Sequence, residues 1–274
     1  MSEAQYALGT TGAAARRLAI QDEQFAEVSE RLLDRLDLGP NDRVVELGTG
    51  AGSFGRRVLR RLGPGGALLA VDYSQGLLDQ ARENLVGAGP ASVELVACDI
   101  QDISRWADRA DVVVGRTVLH HLAFPEVLLG RLTRILRPGT RLGFIEPEFR
   151  VFIGRLAAIE AQGTVEALPL RRWAEGISRY YQARGLAPCI GASLGRTLEA
   201  AGYRDVACDW AECPMNAAGI ENMLLYYDEI RERYTSLGIM TSEEIDRDKR
   251  LLAALSGKNL PPLWGTHAVT CVVG

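Results

Sequence analysis

The sequence predicts an α/β fold: a parallel sheet with helices on both faces, followed by a helical cap. Three observations carry that expectation. Short β-rich runs alternate with amphipathic helical stretches to give five strands between Arg43 and Ile145, the rhythm of strand–helix–strand units. The first run ends in the glycine-rich turn Glu46-Leu47-Gly48-Thr49-Gly50-Ala51-Gly52. After Ile145 the rhythm changes, and residues 151–202 read as successive helices.

Each element follows from its local pattern. Leu18, Phe25, Val28, Leu32, Leu33 and Leu36 recur at helical spacing and stop at Gly39-Pro40, which predicts one or two helices ahead of the sheet. Residues 44–47 form the first strand, 53–62 a helix, 67–71 the second strand and 74–86 a helix. Strands follow at 93–97 and 112–114. A helix opened by Pro125 closes before Pro138-Gly139, and 141–145 is the fifth strand. Beyond the helical stretch, 205–211 reads as a strand, 217–234 and 242–255 as helices, and 267–273 as a terminal apolar strand.

The chain therefore divides into an N-terminal helical lid (1–40), a core carrying the glycine-rich turn (41–150), a helical cap (151–203) and the last two strands with a helical insertion (204–274). With no linker between them, one structural domain is expected.

Composition narrows the function. At 274 residues and 47% hydrophobic content the chain supplies a sizeable core, and its formal net charge of -4 has the wrong sign for a protein that neutralises phosphates. Nucleic acid is thus not the expected partner. The five cysteines are scattered and lack a Cys-x-x-Cys pair, so neither a disulfide framework nor a metal site is predicted. Without a secretion signal or a membrane-length apolar run, the expectation is a cytoplasmic protein with no membrane insertion. The oligomeric state is open, with a homodimer among the options.

A glycine-rich turn between a buried strand and a helix lets a ligand approach backbone amides. Gly50-x-Gly52-x-x-Gly55 matches the dinucleotide fingerprint literally. In the register where the first glycine directly follows the strand, that glycine is Gly48, and the pattern fails at Ser53. Glu46 is a second objection, since a carboxylate there repels a pyrophosphate and attracts an ammonium or sulfonium cation. At the end of the second strand, Asp72 lies where a carboxylate accepts from both ribose hydroxyls. At the end of the third, Asp99 suits an adenine amine and the Ile100 amide a ring nitrogen.

The series ELGTGAG, VDYS, ACDIQD, GRTVLHHL and RILRPGTRLGFIE resembles, in order and spacing, the class I S-adenosylmethionine-dependent methyltransferases. It is most similar to the small-metabolite branch that includes the ubiquinone/menaquinone-biosynthesis enzymes. The likeness covers residues 40–150 well and the remainder loosely. It implies a Rossmann-like, doubly wound sheet of seven strands, the last antiparallel. It also implies S-adenosyl-L-methionine as cofactor, S-adenosyl-L-homocysteine as product and a small-molecule methyl acceptor. On that likeness Glu46, Gly48 and Gly50, with Thr49 and Gly52 of the same loop, meet the methionine part, Asp72 the ribose, and Asp99 with Ile100 the adenine. Tyr73 would cover an adenine face, and Tyr6, with Arg16, Arg17 and Gln21, would form a lid.

Residues after the fourth strand should face the transferring methyl group. Arg116 is expected to pair with the cofactor carboxylate. His120 and His121 are candidate bases, and the resemblance implies that one of them lies near the cofactor while the other packs structurally. Glu146 and Glu148, flanking Pro147, are candidate polar contacts or bases, with solvated loop acids as the alternative. Phe149, Phe152, Trp173, Tyr180, Tyr181, Met215, Met223, Tyr226 and Tyr227 offer apolar surface for the acceptor, with Tyr180 also a catalytic candidate. Arg56, Arg57, Arg60 and Arg61 read as a solvated basic stripe. Methyl transfer to O, N or C stands against two alternatives: a protein of this fold that binds the cofactor without transfer, such as a cyclase or binding module, and a nicotinamide-dependent oxidoreductase.

Overall fold

In the computed structural model, residues 12–105, 109–161, 163, 167–258, 260 and 263–274 are described. The strands are β1 (Arg43–Leu47), β2 (Ala67–Asp72), β3 (Ser92–Ala97), β4 (Val112–Arg116), β5 (Arg141–Pro147), β6 (Tyr203–Cys213) and β7 (Trp264–Val273). They form one sheet in the order β3-β2-β1-β4-β5-β7-β6. β1 to β5 pair parallel, and β7 runs antiparallel between β5 and β6. This is the seven-stranded Rossmann-like sheet with an antiparallel last strand.

Ten helices accompany the sheet among the described residues: α1 (Gly12–Gln24), α2 (Ala26–Leu36), α3 (Ser53–Leu59), α4 (Gln75–Leu85), α5 (Pro125–Ile135), α6 (Phe149–Glu160), α7 (Ala167–Ala183), α8 (Gly191–Ala200), α9 (Ala217–Ser236) and α10 (Ser242–Ala253). Their stripes explain their places. On α2, Val28, Leu32, Leu33 and Leu36 are buried, one face of a 3.6-residue period, and they join the core on the side of the sheet that also receives α3 and α4. Leu128, Leu129 and Leu132 of α5 and Leu194 and Leu198 of α8 belong to the opposite core. Both faces are covered, which is why β1 and β4 are apolar along most of their length.

Element boundaries differ from the sequence expectation where long-range pairing decides them. β6 begins at Tyr203 and β7 at Trp264, because the two strands pair out to Tyr203↔Val273 at one end and Cys213↔Trp264 at the other. Helix α3 stops at Leu59, short of the expected 62. Helices α9 and α10 of the later insertion join α7 in one helical cap: Arg172 of α7 and the hydroxyl of Tyr227 of α9 both bond Asp248 of α10, which is fully buried. No helix among the described residues is long and apolar enough to cross a membrane.

The strand order places the site. The chain leaves β1 outward through β2 and β3, then returns to β4 on β1's other side. The carboxyl ends of β1 and β4 thus open a crevice at the switch point, where open α/β sheets take their ligands.

Candidate active site

Glu46 is in β1 and the glycine turn follows it. The turn is held by Thr49 N–H donating to Val71 O at 3.0 Å and Gly52 N–H to Thr49 O at 2.9 Å. Gly48, Gly50 and Gly52 all have positive φ. At Gly48 the requirement is double: φ is +66°, and a Cβ would lie 2.4 Å from Val118 Cγ2. Gly55 lets α3 pass Glu46, whose Oε2 would stand 2.6 Å from an added Cβ.

The Glu46 carboxylate is 1% exposed and accepts from Thr49 Oγ1 at 2.7 Å. Burial pushes its pKa up to about 7, against the lowering effects of Thr49 and Arg116. A buried acid with this small a donor set suits a cationic ligand and disfavours pyrophosphate. That chemistry, beside a turn with no Cβ in the way, fits the amino-acid end of S-adenosylmethionine.

Asp72 ends β2. Its Oδ2 accepts from Gly50 N at 2.9 Å and its Oδ1 from Ser74 N at 3.0 Å, while Ser74 caps α4. Burial raises its pKa in spite of these bonds. With four lone-pair sites on its two oxygens, the carboxylate can still accept from a ribose hydroxyl. Asp99 accepts from Gln101 N at 3.0 Å, and Ile100, 7% exposed, opens the 3₁₀ stretch Ile100–Arg105. Asp72, Tyr73, Asp99 and Ile100 stand at adjacent strand ends but outside the two cavities described next. Tyr6 lies outside the described residues.

A first cavity is lined by the turn residues Gly48 to Ala51, by Glu46, by Arg116, Thr117, His120 and His121, and by Arg17, Leu18 and Gln21 of α1. Of the expected lid residues, Arg17 and Gln21 border this cavity. Arg16 points away and pairs with Glu221 on the exposed side of α9. A second cavity shares Arg17, Gln21, Thr117 and His120 with the first. Its further walls are Phe25, Pro147, Phe149, Trp173, Ile177, Tyr181, Asn222, Tyr226 and Trp264.

At the shared wall, His120 Nδ1 lies 2.8 Å from Glu146 Oε2. Glu146 is no solvated loop acid. It sits within β5, fully buried, and its carboxylate also accepts from the backbone N–H groups of Val118 at 2.9 Å, Leu119 at 2.7 Å and His120 at 3.3 Å. A carboxylate held this way orients the ring, with Nδ1 toward Glu146 and Nε2 on the far side. His121 is 3.3 Å from the Tyr181 hydroxyl through Nδ1. Burial first, then the charges of His120, Arg17 and Arg184, hold His121 well below its ordinary pKa and keep it neutral.

Other candidates fall elsewhere. Tyr180 is fully buried among Tyr181 and Tyr234, bonded by Arg184 and away from both cavities. Phe152, Met223 and Tyr227 are core, and Met215 lines a separate surface cleft. Glu148 is buried at the start of α6, where it accepts from Arg150 N and Ala192 N and joins α6 to α8. The arginine stripe is a paired seam: Arg57, 8% exposed, bonds Asp22 and Glu30, and Arg61 bonds Glu30 and Asp34.

As site residues, Asp22, Trp264 and Asn222 escaped the sequence reading, Phe25 figured there only as an apolar helix position, and Thr117 only within the run after the fourth strand. Asp22 joins Arg57 and Arg116, the latter at 2.6 Å. Burial alone would raise its pKa, but hydrogen bonds and charges from the two arginines outweigh that and hold it low. The Arg116 guanidinium lies over the rings of Phe25 and Phe54, its side chain 8% exposed, so its position is fixed before any ligand arrives. Thr117 adopts φ +52°, costly for a β-branched residue and common where function holds the backbone.

Comparison with known proteins finds methyltransferases. Residues 44–139 match the methyltransferase domain family. The chain is 25% identical to aklanonic acid methyltransferase of Streptomyces sp. strain C5, over 70% of this chain and 88% of that one. It is 29% identical to the ubiquinone/menaquinone biosynthesis C-methyltransferase of Ectopseudomonas mendocina, over 39% and 42%. Against several curated relatives the match spans under half of their length. The fold is that of Haemonchus contortus phosphoethanolamine N-methyltransferase 2, solved with S-adenosyl-L-methionine, at TM-score 0.58 and 17% identity over 96% of this chain and 57% of that one. Residues 44–139 are thus similar to the methyltransferase domain family, and the whole described chain shares its fold with a protein that binds S-adenosyl-L-methionine.

Proposed function

We propose that the protein transfers the methyl group of S-adenosylmethionine to a hydroxyl oxygen of a small, largely apolar acceptor. The observation that carries this reading is His120: its ring borders both cavities, and Glu146 stands 2.8 Å behind it. A base is needed when the nucleophile must lose a proton, as a hydroxyl does and an amine need not. When bound, the cofactor supplies a methyl carbon on a cationic sulfur, which keeps the bonding electron pair and leaves neutral.

The chain's own residues do the rest. His120 Nε2 takes the hydroxyl proton while Glu146 orients the ring and opposes the charge that appears on it. Glu46 and Arg116 hold the amino and carboxylate groups of the cofactor, and Asp72 its ribose. Asp99 and Ile100 meet the adenine, with Tyr73 over one face. The α1 lid and the rings of Phe149, Trp173 and Trp264 exclude water and align the acceptor, and alignment of this kind is worth roughly 7–11 kcal/mol. Likeness to aklanonic acid methyltransferase favours a role in secondary metabolism. We take the protein to act in the cytoplasm, where its five free cysteines stay reduced.

The test is incubation with methyl-labelled S-adenosylmethionine and a metabolite extract, followed by identification of the labelled product and of S-adenosylhomocysteine. Transfer to oxygen is expected, with kcat in His120→Gln falling roughly 10²–10⁴-fold. Cofactor binding without S-adenosylhomocysteine formation would overturn methyl transfer. Full turnover by His120→Gln would overturn the base.

A further inference from the structure

We propose that Arg17 recognises the acceptor: its terminal amino groups take a carbonyl or carboxylate oxygen adjacent to the hydroxyl that is methylated. The acceptor class is then a planar aromatic or enolic compound carrying a hydroxyl beside a carbonyl. This rests on the methyl-transfer reading above.

Arg17 lies on α1 and is buried, its side chain 4% exposed. Its Nε donates to Glu229 Oε1 of α9 at 2.8 Å, and that carboxylate is 2% exposed. Among the described residues no acceptor lies on Nη1 or Nη2, so the guanidinium keeps four N–H donors of its fork uncommitted. The side chain borders both cavities, so the space into which these donors can bond is that of the cofactor and the acceptor.

Arg116 decides between the two ligands. It lines the first cavity only, and with Nη1 given to Asp22 and Ser29 it retains Nε and Nη2 for the cofactor carboxylate. Arg17 is the cation that also reaches the second cavity, whose other walls are mostly rings: Phe149 and Trp264 are near parallel at 21°, and Trp173 meets Tyr226 edge-on. Such walls favour a flat apolar body. Because Glu229 offsets the charge of Arg17, the fork suits a carbonyl oxygen as well as a carboxylate.

The chemistry links Arg17 to His120, which shares the same wall. When the acceptor hydroxyl gives its proton to His120, the negative charge left on oxygen spreads by conjugation onto the neighbouring carbonyl oxygen. Donors waiting at that second oxygen stabilise the anion as it forms. Since Arg17 is on the lid and Glu229 on the cap, the same contact makes lid position sensitive to the acceptor.

The test uses the protein loaded with S-adenosylhomocysteine and two near-isosteric probes, 2-hydroxyacetophenone and 2-ethylphenol, titrated by calorimetry. The wild type should prefer the ketone by about tenfold or more, the difference a good hydrogen-bonded carbonyl makes. Arg17→Met should erase that preference while still binding 2-ethylphenol, and Arg17→Lys should keep part of it. Because Arg17→Met strands Glu229, the pair Arg17→Met with Glu229→Met is measured alongside, and should lose the preference with folding intact. Equal affinities for the two probes in the wild type, binding of neither, or a preference that survives in the Arg17 variants would overturn the proposal. So would loss of S-adenosylhomocysteine affinity with the preference unchanged, which would assign Arg17 to the cofactor. No turnover is read here, so failure of the methyl-transfer reading remains a separate result.

Discussion

Asp22 Oδ1 lies 2.6 Å from Arg116 Nη1, and Asp22 Oδ2 lies 2.7 Å from Arg57 Nη2. One carboxylate on the lid helix thus fastens it both to the end of β4 and to α3, across the cofactor crevice. Asp22→Ala should leave two largely buried guanidinium groups short of a partner, a loss of about 3–5 kcal/mol in urea unfolding. Cofactor affinity should fall with it, since Arg116 loses the contact that positions it. The pH dependence has a defined sign. The folded pKa of Asp22 lies below its ordinary value of 3.8, so its contribution is complete above pH 3.8 and is lost as pH falls through the folded value. A variant as stable as the wild type at pH 7 would remove Asp22 from this role.

Glu46 should make cofactor binding release a proton. With a pKa of about 7 before the ligand arrives, the carboxyl is about half protonated at neutral pH, and a cationic amino group beside it favours the ionised form. Affinity should then rise by about tenfold from pH 6 to pH 8, and calorimetry in buffers of different ionisation enthalpy should register the released proton. For the unliganded protein the sign reverses. An acid whose folded pKa is raised loses stability as pH climbs from its unfolded value towards 7. Glu46→Gln should therefore stabilise the empty protein at pH 8 by up to about 3 kcal/mol while abolishing cofactor binding. Binding with no proton release would count against this placement of the amino group.

Gly48 is constrained by Val118 as well as by its own backbone. A methyl group at position 48 would sit 2.4 Å from Val118 Cγ2 and on a residue with φ +66°. Gly48→Ala should cost about 1–3 kcal/mol from backbone strain, plus the clash. Adding Val118→Ala removes the 2.4 Å contact but leaves Val118 Cβ at 3.0 Å and the backbone strain, so the double variant should recover part of the stability lost in the single one. If Val118→Ala recovers nothing, the two losses simply adding, the contact is not what makes Gly48 necessary.

Much of the core and part of the site was legible because it is local. Val44-Val45-Glu46-Leu47 followed by three glycines announces its strand and turn within nine residues, and Asp72 and Asp99 end apolar runs of the same kind. The acceptor cavity was less legible because its walls come from distant segments: Phe25 precedes the sheet, Trp173 is in the cap and Trp264 begins the last strand. Pairing that extends β7 back to Trp264 is a property of β6, not of the local run. The arginines of α3 looked solvated because helix periodicity says nothing of what a polar face meets; Glu30 and Asp34 meet it once α2 packs alongside. The left-handed backbone of Thr117 carried no signal, because such a conformation at a threonine is imposed by its surroundings.

The cap should unfold more easily without disturbing cofactor binding. Asp248 is fully buried and gathers Arg172 from α7 and Tyr227 from α9, so three cap helices meet on one carboxylate. None of the three residues lines the cofactor cavity. Asp248→Asn keeps the shape but removes the charge opposite Arg172, which at 26% exposure can regain some water. The expected cost is about 2–4 kcal/mol, towards the lower side of what breaking a buried pair usually costs. Hydrogen exchange should show the loss in α7, α9 and α10 ahead of the sheet, with S-adenosylhomocysteine affinity within about twofold of the wild type's, as expected for sites with no shared partners. Uniform destabilisation of β1 to β5, or a comparable loss of cofactor affinity, would show that cap and core unfold as one unit.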